Sequence, residues 1–348
     1  MKILYAVQAT GNGHITRAIE LIPHFQKWGE VDILVSGIQS DIELPFKVKY
    51  RFTGLSFVFG KSGGVDVWQT YWRMKSFKLL KEINKLPIEK YDLVISDFEP
   101  VSSWAAMKAG KPCIGLSNQA ATLHPLAPIP KKMDVLGKLV LNHYAPVTFA
   151  YGFHFKSLDQ HIFTPIIRRE VRQIQPTSEG HYTVYLPSYS DEKIIKCLRK
   201  IDAVKWQVFS KHSKKKYKEK NIQIYPINSS QFLDSLASSE GVLCNAGFGT
   251  TSEALFLNKK LLVIPMKSQI EQHCNVAMLK SMGVASIKKL NKKNVPKIEE
   301  WVLSNTVVEV DYPDQSSQIV EMIVQNHAGH SQKNTNLSKL NSNIYKHI

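Results

Sequence analysis

Short β-rich runs alternate with amphipathic stretches along almost the whole chain, and the alternation runs through twice. The first half reads KILYAVQ, VDILVS, KVKYRF, DLVIS at 92–96 and PCIGLS. Most of these runs are continuously apolar, as strands covered on both faces are. Between the first two, Ile15, Ala18, Ile19, Ile22 and Phe25 fall on one face of a helix, with Gly29 placed to stop it. Pro100 and Gly110 are placed to open and close another. The second half repeats the grammar: HYTVYL, a helix from Asp191, WQVFS, IQIYP, a helix from Ser229, GVLCN, a helix from Gly249, LLVIP, and a helix from Ile270 to Met282 with Gly283 behind it. Strand–helix–strand repetition demands parallel pairing with helices over both faces. The expected fold is α/β, two Rossmann-like units in series.

A chain of 348 residues is too long for one ordinary core and suits two domains of about 150 residues each. We expect an N-terminal domain over 1–163, a C-terminal domain over 164–326 and a polar, flexible tail over 327–348. The boundary is read from HIFTPIIRREVRQIQPTSEG at 161–180, which loses periodicity and gains Pro, Ser and Gly. No apolar run is long enough to cross a membrane. Cys113, Cys197, Cys244 and Cys274 are scattered, which fits a reducing cytoplasm and neither a disulfide framework nor a zinc site. The net charge of +16 is compatible with nucleic acid, anionic lipid or a phosphorylated substrate. No nucleic-acid-binding signature is present, so nucleic acid is not an expected partner. Part of the excess is the run KHSKKKYKEK at 211–220, read as a solvated loop or helix face.

Residues 54–86 break the pattern. Phe57, Phe59, Trp68, Tyr71, Trp72 and Phe77 are mixed there with Lys61, Arg73, Lys75, Lys78 and Lys81, around the loop KSGGVD. That mixture suits a membrane-facing or acceptor-binding surface, or a core-packing helix with snorkelling lysines. Lys131 and Lys132, beside the apolar 133–150, add a second candidate contact for anionic headgroups.

Four segments can carry chemistry. Gly11, Asn12, Gly13 and His14 join strand one to helix one, where backbone can approach a ligand closely. Thr16 stands where a dinucleotide fingerprint needs glycine, so that site is not supported. At the carboxyl edge of the sheet, the His14 imidazole could take a proton from a hydroxyl, or simply satisfy its loop. Asp97 and Glu99 follow DLVIS on the same edge; Asp97 could orient the imidazole, or only end its strand. The third segment runs from Cys244 through Asn245, Gly247, Gly249, Thr250, Thr251 and Glu253. Free amides of a helix start with Thr250 and Thr251 could hold a diphosphate, and Glu253 the ribose hydroxyls. Thr250 and Glu253 also have capping-box spacing. The fourth segment, after LLVIP, places Gln269, Glu271 and Gln272 at the next helix start, where they could hold sugar hydroxyls or merely face solvent.

Taken together, these segments resemble the GT-B glycosyltransferases, in the same order and as far as about residue 325. The GNGH turn is similar to the first loop of the lipid II N-acetylglucosaminyltransferases and the monogalactosyldiacylglycerol synthases. Asn245 to Glu253 resembles the donor motif of the UDP-glycosyltransferases, with Asn245 where a histidine usually opens it. Pro265 to Gln272 resembles the following sugar-binding element, which Asn275 continues, and Thr164 to Arg168 an interdomain linker. GNGH and ISDFEP also look like a large bacterial and archaeal glycosyltransferase family.

The resemblance implies facing Rossmann domains with a cleft, the acceptor on the N-terminal domain and a nucleotide sugar, by family a UDP-sugar, on the C-terminal one. It implies no cofactor and no catalytic metal. The expected enzyme is an inverting glycosyltransferase with His14 as base, aided by Asp97. Gly249, Thr250 and Thr251 would hold the diphosphate, Glu253 the ribose, Glu271 and Gln272 the sugar, and main chain near Pro226 and Ile227 the base. A lipid-linked or cell-envelope acceptor at the inner membrane face is the preferred refinement. A nucleotide-sugar 2-epimerase or hydrolase of the same fold, and a non-enzymatic basic protein binding nucleic acid or lipid, are the alternatives.

Overall fold

The computed structural model describes residues 1–9, 11–37, 44–54, 77–122, 124–130, 143–267 and 269–328. Most of the aromatic and cationic stretch at 54–86, with Lys131, Lys132 and the tail from 329, lies outside these residues.

The chain divides into two compact units. Unit 1 takes the described residues of Met1–Ala127, Asp134–Ile166 and Asp314–Ile348; unit 2 takes those of Pro128–Met133 and Ile167–Pro313. Unit 1 is built on β1 (Lys2–Gln8), β2 (Glu30–Ser36), β3 (Val48–Phe52), β4 (Leu93–Asp97), β5 (Ile114–Ser117), β6 (Phe149–Phe153) and β7 (Ile162–Phe163). All pair in parallel, in the order β3-β2-β1-β4-β5-β6-β7. The helices are α1 (Asn12–Gln26), α2 (Pro100–Lys108) and the short α3 (Asn118–Thr122), with residues 77–85 also helical. The buried face of α1 is Ile15, Arg17, Ala18, Leu21, Ile22 and Phe25, so a charged side chain sits within the apolar stripe. Gly110, at φ +63, closes α2 as expected, and Lys111 N–H donates back to the Ala106 carbonyl at 2.9 Å.

Unit 2 repeats the plan with β8 (His181–Tyr185), β9 (Lys205–Ser210), β10 (Tyr217–Glu219), β11 (Ile222–Pro226), β12 (Gly241–Asn245), β13 (Lys260–Ile264) and β14 (Ala285–Ser286). The order is β10-β11-β9-β8-β12-β13-β14. Only β10 runs antiparallel. It belongs to the lysine-rich run, whose residues 211–216 form a largely exposed loop as expected and whose residues 217–219 add a short exposed edge strand; lysines on such an edge oppose pairing with other chains. The helices are α4 (Arg169–Arg172), α5 (Asp191–Leu198), α6 (Ser229–Ser238), α7 (Phe248–Phe256), α8 (Ile270–Ser281) and α9 (Val295–Leu303). Tyr182, Trp206 and Trp301 anchor the core against the aliphatic strands.

The chain passes from unit 1 to unit 2 between Ile166 and Ile167, close to the expected 163/164. It does not stay there to 326. It returns at Asp314, and α10 (Ser316–His327) belongs to unit 1. There α10 lies against α1, buries Ile319, Val320, Ile323 and Val324, and sets His327 Nε2 at 2.9 Å from the Tyr151 hydroxyl. That apolar face has to be covered, and unit 1 covers it.

In each sheet the strand order reverses between two central neighbours, β1 and β4 in unit 1 and β8 and β12 in unit 2. Loops leaving the carboxyl ends of such neighbours part to opposite faces and open a crevice for ligands. His14 and Asp97 follow β1 and β4 at the first point, and Asn245 to Glu253 follow β12 at the second; Gln269, Glu271 and Gln272 follow the neighbouring β13.

Candidate active site

In unit 1, β1 delivers the loop that opens α1 and β4 delivers Asp97. His14 Nδ1 lies 2.7 Å from Asp97 Oδ1. Arg17, one turn further along α1, grips the same carboxylate: Nε donates to Oδ2 at 2.9 Å and Nη2 to Oδ1 at 2.5 Å. Burial alone would raise the Asp97 carboxyl, but Arg17 and His14 outweigh it and hold it below the usual carboxylate range. Arg17 Nη2 also lies 3.0 Å from His14 Nδ1. A guanidinium can only donate, and a ring nitrogen bonded to a carboxylate must carry the proton. Both therefore donate to Asp97 and merely neighbour each other. With Nδ1 protonated, Nε2 keeps its lone pair. The Gln119 side-chain amide nitrogen, a donor, stands 3.3 Å from it. Arg17 is further held by Asn118 Oδ1 at 3.3 Å and lies over the Phe153 ring.

Sequence reasoning found His14 and Asp97 but missed Arg17, Asn118 and Gln119. The signals were present: i+3 from His14 on the same helix, and two polar residues directly after PCIGLS on the carboxyl edge. Around Gly11 and Gly13 there is open space, and neither a capping side chain nor an acid occupies the start of α1.

Glu99 is a correction. Expected beside Asp97 on the sheet edge where ligands gather, it is instead fully buried and caps α2, accepting from Val101 N–H at 2.8 Å and Ser102 N–H at 2.6 Å. Burial raises its carboxyl above the ordinary range. Phe98, between the two acids, has φ +53, and its ring stacks on Tyr144 at 4.8 Å. That left-handed turn separates the acids, one on the sheet edge and one on a helix start.

In unit 2, β12 ends at Asn245 and α7 begins after Gly247. No side chain caps α7 and no acid lies in its first turn. Gly247 and Gly249 face open space, and the Thr250 hydroxyl makes no hydrogen bond among the described residues. Amides at a helix start carry partial positive charge and suit an anion.

Three expected roles change here. Thr251 is fully buried and donates to its own helix, to the Gly247 carbonyl at 2.6 Å and the Phe248 carbonyl at 3.0 Å, so its hydroxyl is spent. Asn245 acts as a tie: Nδ2 donates to the Ile264 carbonyl at 2.8 Å, and Oδ1 accepts from Ser188 at 3.0 Å. The capping box is absent, because the N-cap is Gly247 and Glu253 lies in the second turn. Its carboxylate instead meets Arg168, with Nε to Oε1 at 2.5 Å and Nη2 to Oε2 at 2.9 Å. Ser188 and Arg168 were not expected at this place; the second pair is 85 residues apart in sequence.

The fourth segment is brought together as a latch. Gln272 Oε1 accepts from Met266 N–H at 3.0 Å, and Nε2 donates to Gln269 Oε1 at 2.6 Å. Asn275 Nδ2 donates to the Ala246 carbonyl at 3.0 Å, tying α8 to the loop before α7. Glu271 lies in the first turn of α8, half-buried. Pro226 ends β11, followed by an exposed Ile227. Among the described residues no three His, Cys, Asp or Glu side chains converge as metal ligands would, and no helix is long and apolar enough to cross a membrane.

A family model described as Glycosyl transferase family 1 matches residues 1–304, spanning both strand-end sites. The chain belongs to that family. This glycosyltransferase matches none of the curated proteins. Among solved structures it is similar to the glycosyltransferase SnogD from Streptomyces nogalater, 12% identical over 93% of this chain and 99% of that one, with a TM-score of 0.54. It is similar to UGT89C1 of Arabidopsis thaliana complexed with UDP-L-rhamnose, 12% identical over 94% and 99%, TM-score 0.61. A third is UGT2 of Phytolacca americana complexed with UDP-2fluoro-glucose and pterostilbene, 13% identical over 100% and 99%, TM-score 0.58. At such identities the likeness shows the fold, which is GT-B. Family membership makes the chain a transferase, against the epimerase and the basic binding protein weighed above.

Proposed function

We propose that this glycosyltransferase moves a sugar from a UDP-sugar to an acceptor hydroxyl by a single inverting displacement. The carrying observation is the His14 imidazole pinned through Nδ1 by the Asp97–Arg17 pair, which puts the acceptor lone pair on Nε2, where the acceptor hydroxyl takes the place of the Gln119 amide. As the hydroxyl oxygen attacks the anomeric carbon, Nε2 takes its proton and Asp97 accepts from the resulting imidazolium. The bond to the nucleoside diphosphate breaks and its charge passes to the start of α7, with the Gly249 and Thr250 amides and the Thr250 hydroxyl as donors. These groups supply the stabilisation without a metal. Glu253 takes the ribose. Neighbours complexed with UDP-L-rhamnose and UDP-2fluoro-glucose support this donor class.

The experiment is His14→Ala, assayed with a panel of labelled UDP-sugars and a lipid extract. Transfer is expected to vanish while UDP still raises the melting temperature, because binding to the folded state stabilises it. Substantial transfer by the variant would remove His14 from the mechanism.

The acceptor we propose is lipid-linked, reached from the cytoplasmic face of a membrane. Helix 77–85 exposes Phe77 by 81% and Leu80 by 54%, interleaved with Lys78, Lys81 and Lys85. With a net charge of +16 this suits anionic headgroups. Co-sedimentation with phosphatidylglycerol vesicles, lost at high salt, is the expected result; equal affinity for neutral vesicles would contradict it.

A further inference from the structure

Arg17 is buried in the apolar stripe of α1, where a charged side chain is costly. A buried ion pair is often no more stabilising than apolar packing, so its worth lies in its chemistry. The guanidinium meets both oxygens of Asp97, and Nη2 also stands 3.0 Å from His14 Nδ1, a contact between two donors. Two opposite charges thus face the same ring nitrogen: the carboxylate at 2.7 Å and the guanidinium. Against burial, Arg17 is the strongest influence that keeps Asp97 ionised. From other elements the group meets Asn118 and Gln119 of α3, the Phe153 ring of β6 and Tyr5 of β1. Burial and Asp97 push the Tyr5 hydroxyl well above its ordinary range, so it stays neutral.

A carboxylate and an imidazole shut away from water, with no cation beside them, would take up one proton as a unit. That proton can rest in two ways: as an imidazolium beside a carboxylate, or as a carboxylic acid donating to Nδ1. In both, Nε2 carries hydrogen and cannot accept another. Arginine stays charged at every working pH, so it opposes that uptake throughout. We infer that Arg17 is a positioning residue for the proton: its charge keeps the Asp97–His14 unit from filling before the acceptor is bound, and so sets the low-pH limit of transfer. The inference rests on His14 as the base. If Arg17 merely held the carboxylate plane, its loss would lower the rate by one factor at every pH.

The test compares wild type, Arg17→Gln and Arg17→Lys across pH 5 to 9. Transfer is followed with labelled UDP-sugars and a lipid extract, and NMR of the His14 ring nitrogens, identified by their absence in His14→Ala, follows Nε2 without substrate. Melting temperature and UDP affinity report folding. Glutamine still donates to Asp97 but carries no charge. In Arg17→Gln the loss of transfer and the protonation of Nε2 should both move to higher pH by about one unit or more, the effect of removing a charge this close. Arg17→Lys keeps the charge and gives up the plane, so its rate should fall while the pH of half-loss stays near that of wild type. An unmoved pH of half-loss and an unmoved Nε2 signal in Arg17→Gln, or an upward shift in Arg17→Lys equal to that in Arg17→Gln, would overturn the role of the charge and leave His14 as the base. Residual transfer by His14→Ala with the low-pH loss of wild type would end the base reading and this inference with it.

Discussion

His14 works only if its proton is on the right nitrogen, and Asp97 is what puts it there. Asp97→Asn keeps the shape but lets the amide present either end to the ring. Transfer should fall by about 10³–10⁴, as expected when a base loses its tautomer. Arg17 then loses its buried counter-charge, so the variant should also be less stable by about 3 kcal/mol or more. The measurement is kcat beside a urea midpoint, with UDP affinity as the control expected not to move. A second residue-scale effect comes from His154, just past β6. It is buried with Nε2 unpaired, and burial drives its pKa down to about 4. The unfolded chain binds that proton below about 6.5 and the folded one only near 4, so stability is complete above 6.5 and declines as pH falls between them. About 3 kcal/mol is at stake. His154→Leu should remove this part of the pH slope, and parallel slopes in urea melts between pH 7 and 4 would refute the assignment.

At the scale of elements, the start of α7 separates stability from binding. Gly249 sits inside the first turn with nothing near the position of a Cβ. Gly249→Ala should therefore stabilise the fold by up to about 1 kcal/mol through helix propensity. The added methyl also occupies space where a diphosphate would approach the amides, so UDP affinity should fall. A rise in melting temperature with undiminished UDP binding would move the diphosphate elsewhere. The central strands were legible from sequence because both faces are buried, which leaves continuous apolar runs such as LLVIP. β6, β7 and β14 escaped notice: they are short, and FAYGF carries a glycine and aromatics without strand-like alternation. Strand ends flagged His14 and Asp97 because ligands gather there. Glu99 was misread because its neighbourhood predicts the same edge, and only the turn at Phe98 sends it to a helix start. The Arg168–Glu253 pair was not legible, since local pattern carries no information about partners far apart in sequence.

For the whole molecule, the path of the chain decides which half depends on its last helix. Length and periodicity divide the sequence once, but the chain re-enters unit 1 at Asp314 and brings α10 back to α1. α1 carries both His14 and Arg17, so the proton-accepting site is braced by residues about 300 positions later. Ile323 is fully buried on α10. An aspartate there would set an unpaired charge in an apolar face, at a cost of several kcal/mol. Ile323→Asp should speed amide exchange in peptides covering 2–26 and 93–97, the strands and helix that hold His14 and Asp97. Peptides covering 241–264, which hold the start of α7, should keep their protection, and UDP should still slow exchange there. If the second group lost protection as much as the first, α10 would be supporting unit 2, and the return of the chain to unit 1 would be the wrong description of its fold.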